Sequence, residues 1–67
     1  MPDYISLTYD RVIHQTEKAV LLDFADLEQW IPLSLIDPEY LPLPEDGGEV
    51  AVEYFFIEKE GLEDYES

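Results

Sequence analysis

The sequence contains no cysteine and only three lysine or arginine residues among 67, and both shortages exclude classes of protein. Without cysteine the chain forms no disulfide, no thiolate-bound zinc site and no thiol-based active site. With so few bases we expect no direct binding to nucleic acid or to anionic membranes. The longest apolar runs, residues 19–22 and 54–57, have four residues each, far fewer than the about 20 that a membrane-spanning helix needs.

Acidic charge dominates the rest of the composition. Seventeen aspartates and glutamates give a formal net charge of −14. The chain is nonetheless 46% hydrophobic and 13% aromatic, which distinguishes it from acidic disordered segments. We therefore expect residues 1–67 to form a single acidic domain with a small core. No basic segment followed by an apolar run opens the sequence, so we expect a cytoplasmic protein.

Residues typical of strands mark the N-terminal half. Residues 4–13 predict a strand with a bulge or bend near residues 9 and 10. Residues 19–24 predict a second strand, which forms an antiparallel hairpin with the first. Alternation in the second strand places three apolar side chains on one face: Val20, Leu22 and Phe24. Residues 29–31 are a third candidate strand, and Pro32 ends it because proline cannot donate to a ladder.

The C-terminal half combines turns, a strand and a helix. Residues 34–37 suit one helical turn, and residues 37–48 form a loop rich in proline and glycine. Residues 49–52 predict a strand. Residues 53–60 then predict a helix with a glycine cap at Gly61, and a continued strand is the alternative. Such a helix groups four apolar side chains on one side: Val52, Phe55, Phe56 and Leu62.

Together these elements predict an α+β fold, a small antiparallel sheet of three or four strands with one C-terminal helix packed on it. Residues 63–67 are expected to form a frayed tail. Trp30 is expected to be the largest piece of the core, and a binding hot spot is the alternative. Tyr40 and Leu41, on the proline loop, either pack the loop down or form an apolar contact for a partner.

Few residues point to catalysis or to metal binding. His14 is the one histidine, and we interpret it as a surface side chain rather than as part of a hydrolytic triad. Glu45, Asp46 and Glu49 surround two glycines, but their spacing does not fit an EF-hand calcium loop. We therefore expect no enzyme activity, no bound metal and no cofactor.

The carboxylates themselves carry the functional hypothesis. Residues 45–67 hold nine of the acids and one base, so the functional face is expected there. Acids lie about 6.6 Å apart at alternate strand positions and roughly 5–6 Å apart one helical turn on. Such rows can occupy a groove in which lysines and arginines bind DNA phosphates; a solvated surface that maintains solubility is the alternative. The candidate contacts are Glu45, Asp46, Glu49, Glu53, Glu58, Glu60, Glu63 and Asp64.

Two stretches resemble small bacteriophage proteins. The first is residues 16–24 followed by residues 30–36, which contain a Trp-Ile-Pro-x-Ser-x-Ile pattern, and the second is residues 49–62. The resemblance implies a phage context and supports a helix after Val52. Small acidic phage proteins include anti-CRISPR proteins, several of which resemble DNA and block target binding by a Cascade-type surveillance complex.

The resemblance implies an inhibitor whose partner is a basic DNA-binding protein, namely a subunit of a type I CRISPR-Cas effector in the bacterial host cell. A phage accessory protein that binds a replication, recombination or restriction protein is the alternative. For such an accessory protein, Trp30 and Tyr40 would make the decisive contacts instead of the acids.

Overall fold

A computed structural model describes residues 3–67 of the chain. Its strands and helix are β1 (Tyr4–Tyr9), β2 (Arg11–Gln15), β3 (Ala19–Asp23), β4 (Glu28–Pro32), β5 (Gly48–Glu53) and α1 (Tyr54–Glu60). The predicted α+β class is confirmed, because all strand pairs are antiparallel and one α-helix lies near the C-terminus. Within residues 3–67 the strands number five rather than three or four, and they form sheets of two and three strands.

The two-stranded sheet joins β1 to β5, the first and last strands in the chain. Leu7 lies opposite Val50 and Ile5 opposite Val52. Leu7, Val50 and Val52 are completely buried, and Ile5 packs against them. Because strand side chains alternate between faces, the intervening residues of both strands lie on the other face, where Thr8 and Glu49 are exposed and Ala51 is buried.

The predicted hairpin is confirmed for its second part only, because residues 11–15 pair antiparallel with residues 19–23 whereas residues 4–9 form a separate strand. The chain bends at Asp10, near the predicted position, and its two halves join different sheets. Only β2 pairs with β3, with a register shift between Val12 and His14. Pairing with β5 is favoured because it buries the apolar face of β1, including Leu7 and Tyr9. Only 1% of Tyr9 remains exposed.

The three-stranded sheet has the order β2-β3-β4. The predicted core face of the second strand is confirmed, since Val20, Leu22 and Phe24 are all buried. Ile31, opposite Val20 in the register, is buried on the same face. The predicted third strand is also present, and it includes Pro32 as its last residue, opposite Ala19.

Helix α1 packs on the core with a different face from the predicted one. It ends at Gly61, which has φ +70° and a left-handed conformation, so the predicted glycine cap is confirmed. Phe56 and Ile57 are buried, whereas Phe55 is 55% exposed. The helix has only seven residues, and the Tyr54 N–H donates to the Asp3 carbonyl oxygen at 2.8 Å. That bond ties the first residue of the helix to the residue before β1.

The segment between β4 and β5 is more regular than predicted. The predicted helical turn is a 3-10 turn at Leu33–Leu35, and a second 3-10 turn at Pro38–Tyr40 lies within the predicted loop. The Asp37 carboxylate accepts a hydrogen bond from the Glu39 N–H at 3.0 Å. This side-chain cap satisfies one of the donors that the start of a turn leaves free.

Residues after α1, for which we predict a frayed tail, instead pack against the sheet. Glu63–Tyr65 forms a 3-10 turn, and the Tyr65 ring stacks on Phe24 with centroids 4.9 Å apart. The Ser67 N–H donates to the Ser6 carbonyl oxygen at 2.9 Å. The tail thereby covers the edge of β1 that does not pair with β5. Without this cover, the edge would expose unpaired backbone N–H and C=O groups.

Other sheet edges are covered as well. The Asp37 N–H donates to the Ala51 carbonyl oxygen at 2.9 Å on the far edge of β5. On β4 the Gln29 side-chain amide donates to the Trp30 carbonyl oxygen at 3.0 Å, and Pro32 has no N–H to offer. Both devices discourage strand addition at these edges.

The core is one continuous apolar cluster that both sheets and α1 share. No polar or charged side chain of the described residues is buried. The Cα radius of gyration is 10.5 Å, close to the roughly 11 Å typical of a folded chain of this length. No helix in residues 3–67 has the length and apolar character that crossing a membrane requires. The cluster consists of Leu7, Tyr9, Val20, Leu22, Phe24, Ile31, Ile36, Leu43, Val50, Val52, Phe56, Ile57 and Leu62.

Candidate partner-binding surface

All seventeen carboxylates lie in the described part of the chain, and none is buried. Asp23, Asp37 and Glu53 are half-buried, and the others are exposed. Within residues 3–67 one ion pair forms, between Arg11 Nε and Asp23 Oδ2 at 2.9 Å. The hydrogen bond from Arg11, followed by one from the Ala25 N–H, holds the pKa of the Asp23 carboxyl below its usual value. Among residues 3–67, the other carboxylates have no basic side chain in ion-pair contact.

Two of the predicted contact residues lie on the outer face of β5. Glu49 is opposite Thr8 and Glu53 is opposite Tyr4. Because Val50 and Val52 face the core, the side chains at positions 49 and 53 point the other way. The two acids are four residue steps apart along the strand, which corresponds to about 13 Å.

A first group of acids surrounds Tyr54 at the start of α1. Hydrogen bonding with the Glu58 carboxylate, then the charge of Glu58, burial, and the charges of Glu63 and Glu66 raise the pKa of the Tyr54 hydroxyl. The structure therefore brings the predicted residues Glu58 and Glu63 together. Glu66 was not among the predicted contacts, and the structure adds it to this group.

A second group of acids lies at the opposite end of β1. Glu45 accepts a hydrogen bond from the Val12 N–H at 3.0 Å through its carbonyl oxygen. Burial, and then the charge of Asp46, raise the pKa of Tyr9, whose hydroxyl donates to the Pro44 carbonyl oxygen at 2.6 Å. Glu45 and Asp46 are thus held beside the end of β1, which lies about 17 Å from its start.

Asp10 belongs to this second group, although it is far from residues 45 and 46 in the sequence. Gly47 lies so close to the bend that a Cβ atom there would be 2.6 Å from the Asp10 carbonyl oxygen. The pairing of β1 with β5 creates this approach, and only knowledge of that pairing would have revealed it. Glu49 extends the group along β5, one residue beyond Gly48.

The remaining predicted acids, Glu60 and Asp64, flank the end of α1. Both are exposed. Hydrogen bonding with Asp26 is the main cause of a raised pKa at Tyr65, and the charge of Asp64 adds to it. The predicted acidic face is therefore two groups joined by the β1–β5 ribbon, with Glu60 and Asp64 beside the first.

Trp30 is 44% exposed, so the prediction that it is the largest piece of the core is wrong. Ile31 occupies the core position of β4, and alternation places Trp30 on the outer face opposite Leu21. The His14 and Trp30 rings form a T-shaped pair, with centroids 6.1 Å apart and planes at 86°. His14, Leu21 and Trp30 form a row across the outer face of the three-stranded sheet.

The candidate apolar contacts on the proline loop separate in the structure. Tyr40 is 39% exposed, whereas Leu41 is half-buried and packs against the core. Only Tyr40 is therefore available as an apolar contact. Tyr54 and Phe55 are more exposed, at 43% and 55%. Neither was predicted as a contact, and Phe55 was placed on the buried face of the helix.

Tyr54 and Phe55 line a cavity of about 220 Å³ together with Asp3 and Glu53. The cavity is bounded by the start of β1, the end of β5 and the first turn of α1. In residues 3–67 no group of three or more histidine, cysteine, aspartate or glutamate side chains is arranged to hold a metal ion. The chemistry offered by the surface is thus negative charge interspersed with exposed aromatic rings.

Comparisons with protein-family models, with curated proteins and with solved structures find no match to this chain. The resemblance to small phage proteins is therefore a prediction that these comparisons do not test.

Proposed function

We propose that the protein is a non-enzymatic DNA mimic that occupies the DNA-binding groove of a type I CRISPR effector and excludes target DNA. It would act in the cytoplasm of a bacterial host cell, without a cofactor. The proposal rests on the exposure of the carboxylates and on how few of them form ion pairs. All seventeen are at the surface, and Asp23 alone has an ion-pair partner among the described residues.

Such a surface disfavours the folded state of the free protein, because like charges on a compact chain repel one another. The same charges attract a cationic groove and accelerate encounters with it. The two acidic groups lie at opposite ends of the β1–β5 ribbon. A groove that binds consecutive phosphates with rows of lysine and arginine can therefore engage both groups at once.

The class of partner follows from charge, and the CRISPR effector follows from the resemblance to small phage proteins. Other basic DNA-binding proteins, such as restriction or recombination enzymes, offer the same kind of groove. A pull-down from host lysate with the wild-type protein, followed by mass spectrometry, distinguishes these partners.

The direct test is competition between this protein and labelled target DNA for a purified type I effector, at low and moderate salt. We expect the protein to lower the apparent affinity of the effector for DNA, and the effect to weaken as salt rises. An unchanged DNA affinity at both salt concentrations would refute the CRISPR assignment.

A charge-matched pair of variants locates the contact surface. The first variant neutralises the group around Tyr54 with Glu58→Gln, Glu63→Gln and Glu66→Gln. The control removes the same charge elsewhere with Glu17→Gln, Glu28→Gln and Glu39→Gln, at three exposed positions outside the two acidic groups. We expect the first variant to lose more inhibition than the control. Equal losses would mean that net charge alone matters.

Exposure of Trp30 favours a second candidate, a phage accessory protein that binds a replication, recombination or restriction protein. Tryptophan and tyrosine are typical hot-spot residues of interfaces, and Trp30 lies beside Leu21 on an open sheet face. For this function, Trp30→Ser or Tyr40→Ser abolishes capture of the partner while the fold is retained. Neutralising the group around Tyr54 then has little effect.

A further inference from the structure

Two large aromatic side chains stand exposed next to each other at the start of α1. Phe55 is 55% exposed and Tyr54 is 43% exposed. Isolated apolar side chains at a surface are ordinary, but adjacent exposed rings that line a cavity are typical of interaction sites. The cavity they share with Asp3 and Glu53 has a volume of about 220 Å³.

Backbone contacts hold Asp3, Glu53 and Tyr54 in place, and Phe55 follows Tyr54 in α1. The Asp3 carbonyl oxygen accepts a hydrogen bond from the Tyr54 N–H at 2.8 Å. Glu53 is the last residue of β5 and pairs with Tyr4 of β1. The two carboxylates and the two rings are therefore attached to the strand ends and to the first helical turn, and not to a long loop.

The composition of the cavity decides what it can accept. Among residues 3–67 its lining consists of two acidic and two aromatic residues, without a lysine, arginine or histidine. The charges of Glu58, Glu63 and Glu66 act on the adjacent Tyr54 hydroxyl, which adds negative potential. An anion is repelled from such a site, and a purely apolar side chain would leave the carboxylates without a partner.

We propose that this cavity receives an arginine side chain from the basic partner. A guanidinium group stacks on aromatic faces and also donates paired hydrogen bonds to carboxylates. Lysine satisfies the charge but lacks the planar fork and stacks less well. The inference rests on the proposed function for the existence of a basic partner, and it adds a specific anchor to what would otherwise be diffuse attraction.

A peptide assay tests the site without any effector. The probe is acetyl-Gly-Arg-Gly-amide, titrated into the isotopically labelled protein while backbone amide shifts are recorded by NMR. The control peptide replaces arginine with citrulline, which has nearly the same shape and no charge. We expect saturable shifts centred on residues 53–55 with the arginine peptide, and binding roughly three- to tenfold weaker with the citrulline peptide.

Two variants make the result specific to the cavity. Phe55→Ser removes an exposed ring, and Glu53→Gln removes a charge with nearly the same volume. We expect each to weaken the arginine peptide by roughly three- to tenfold, while Glu39→Gln, at an exposed position on another element, leaves it unchanged. Equal binding of the citrulline peptide, equal shifts at all acidic positions, or unaltered affinity in both cavity variants would each overturn the proposal.

The peptide test of the cavity and the competition test of the proposed function can fail independently. If the protein competes with DNA but the peptide does not bind at residues 53–55, the arginine site is wrong and the DNA mimic stands. If the peptide binds there but the effector keeps its DNA affinity, the CRISPR assignment is wrong and the site stands. With the effector, Phe55→Ser should weaken the complex without changing its salt dependence, because no charge is removed.

Discussion

The Tyr65 hydroxyl donates a 2.5 Å hydrogen bond to Asp26 Oδ1, across 39 residues of sequence. The Tyr65 ring also stacks on the buried Phe24. Together these contacts attach the residues after α1 to the turn between β3 and β4. This attachment holds Glu63, Asp64 and Glu66 in fixed places around the first acidic group.

Substitutions at Tyr65 separate the hydrogen bond from the ring contact. Tyr65→Phe keeps the ring and should lower the stability slightly, whereas Tyr65→Ala also removes the packing on Phe24 and should lower it more. Urea denaturation gives the two values. Tyr54→Phe is the control, because the Tyr54 ring is exposed. Equal stability of Tyr65→Ala and the wild type would show that the tail is not packed.

High pH should destabilise the protein through its tyrosines. The pKa values of Tyr9, Tyr54 and Tyr65 are all raised in the folded state, so the folded chain keeps phenolic protons that the unfolded chain loses. Their contribution is complete below about pH 10 and declines as the pH rises from there through the folded-state pKa values. We expect the melting temperature to fall over this range.

Ultraviolet absorbance of the phenolate measures the titration, and a thermal melt at each pH measures the stability. Tyr65→Phe should make the fall in melting temperature shallower, because one of the three shifted groups is gone. A melting temperature that stays level while the tyrosines ionise would contradict the argument.

Local patterns in the sequence predicted part of this fold. Alternation in residues 19–24 identified the buried face, and the glycine after a Glu-Lys-Glu run identified the end of α1 at Gly61. Both features depend on neighbours within a few residues. The pairing of β1 with β5 depends instead on which distant apolar face completes the core, and the sequence contains no local signal for it.

The same limit applies to the surface. The count of acids predicted a functional face after residue 44. Assigning Asp10 to the second acidic group required the β1–β5 pairing, and assigning Glu66 to the first required the packed tail. Trp30 was misplaced because adjacent residues of a strand face opposite sides, and either Trp30 or Ile31 could have taken the core position. Which of the two is buried depends on which face of this short strand is directed to the core.

A pair of neighbouring substitutions tests which face of β4 is directed to the core. Trp30→Ser should change the free energy of unfolding by less than about 1 kcal/mol, because the side chain is on the outer face. Ile31→Ala should cost about 2–5 kcal/mol, because Ile31 is completely buried. Urea denaturation of both variants measures the difference. A larger loss from Trp30→Ser than from Ile31→Ala would reverse the assigned faces of β4.

Two glycines with positive φ should respond differently to alanine. Gly61 has φ +70° and open space around its missing Cβ, so Gly61→Ala should cost about 1 kcal/mol from backbone strain alone. Gly47 has φ +105°, and a Cβ there would lie 2.6 Å from the Asp10 carbonyl oxygen. Gly47→Ala should therefore cost at least roughly 2 kcal/mol.

Chemical denaturation gives both costs. Amide spectra show whether Gly47→Ala displaces residues 45 and 46 while leaving α1 unchanged. That result would give a variant in which the second acidic group is disturbed and the first is intact. Equal costs for the two substitutions would mean that the loop does not touch the bend at Asp10.

Salt should act in opposite directions on the free protein and on its complex. The molecule measures 28 × 24 × 17 Å, and the Debye length falls from about 30 Å at 0.01 M salt to about 3 Å at 1 M. At low salt most carboxylates therefore repel one another across the whole molecule, and at high salt only close neighbours do. Sodium chloride should raise the melting temperature of the free protein while it weakens binding to a basic partner.

The variant with Glu58→Gln, Glu63→Gln and Glu66→Gln provides the internal comparison. It has three fewer negative charges, so its melting temperature should be higher at low salt and should rise less as salt is added. Sodium chloride is preferred to sulfate, because sulfate also stabilises proteins by exclusion from their surface. A wild-type melting temperature that falls or stays constant with added sodium chloride would show that the carboxylates are not in net repulsion. Binding to a basic groove would then relieve no repulsion between the acids.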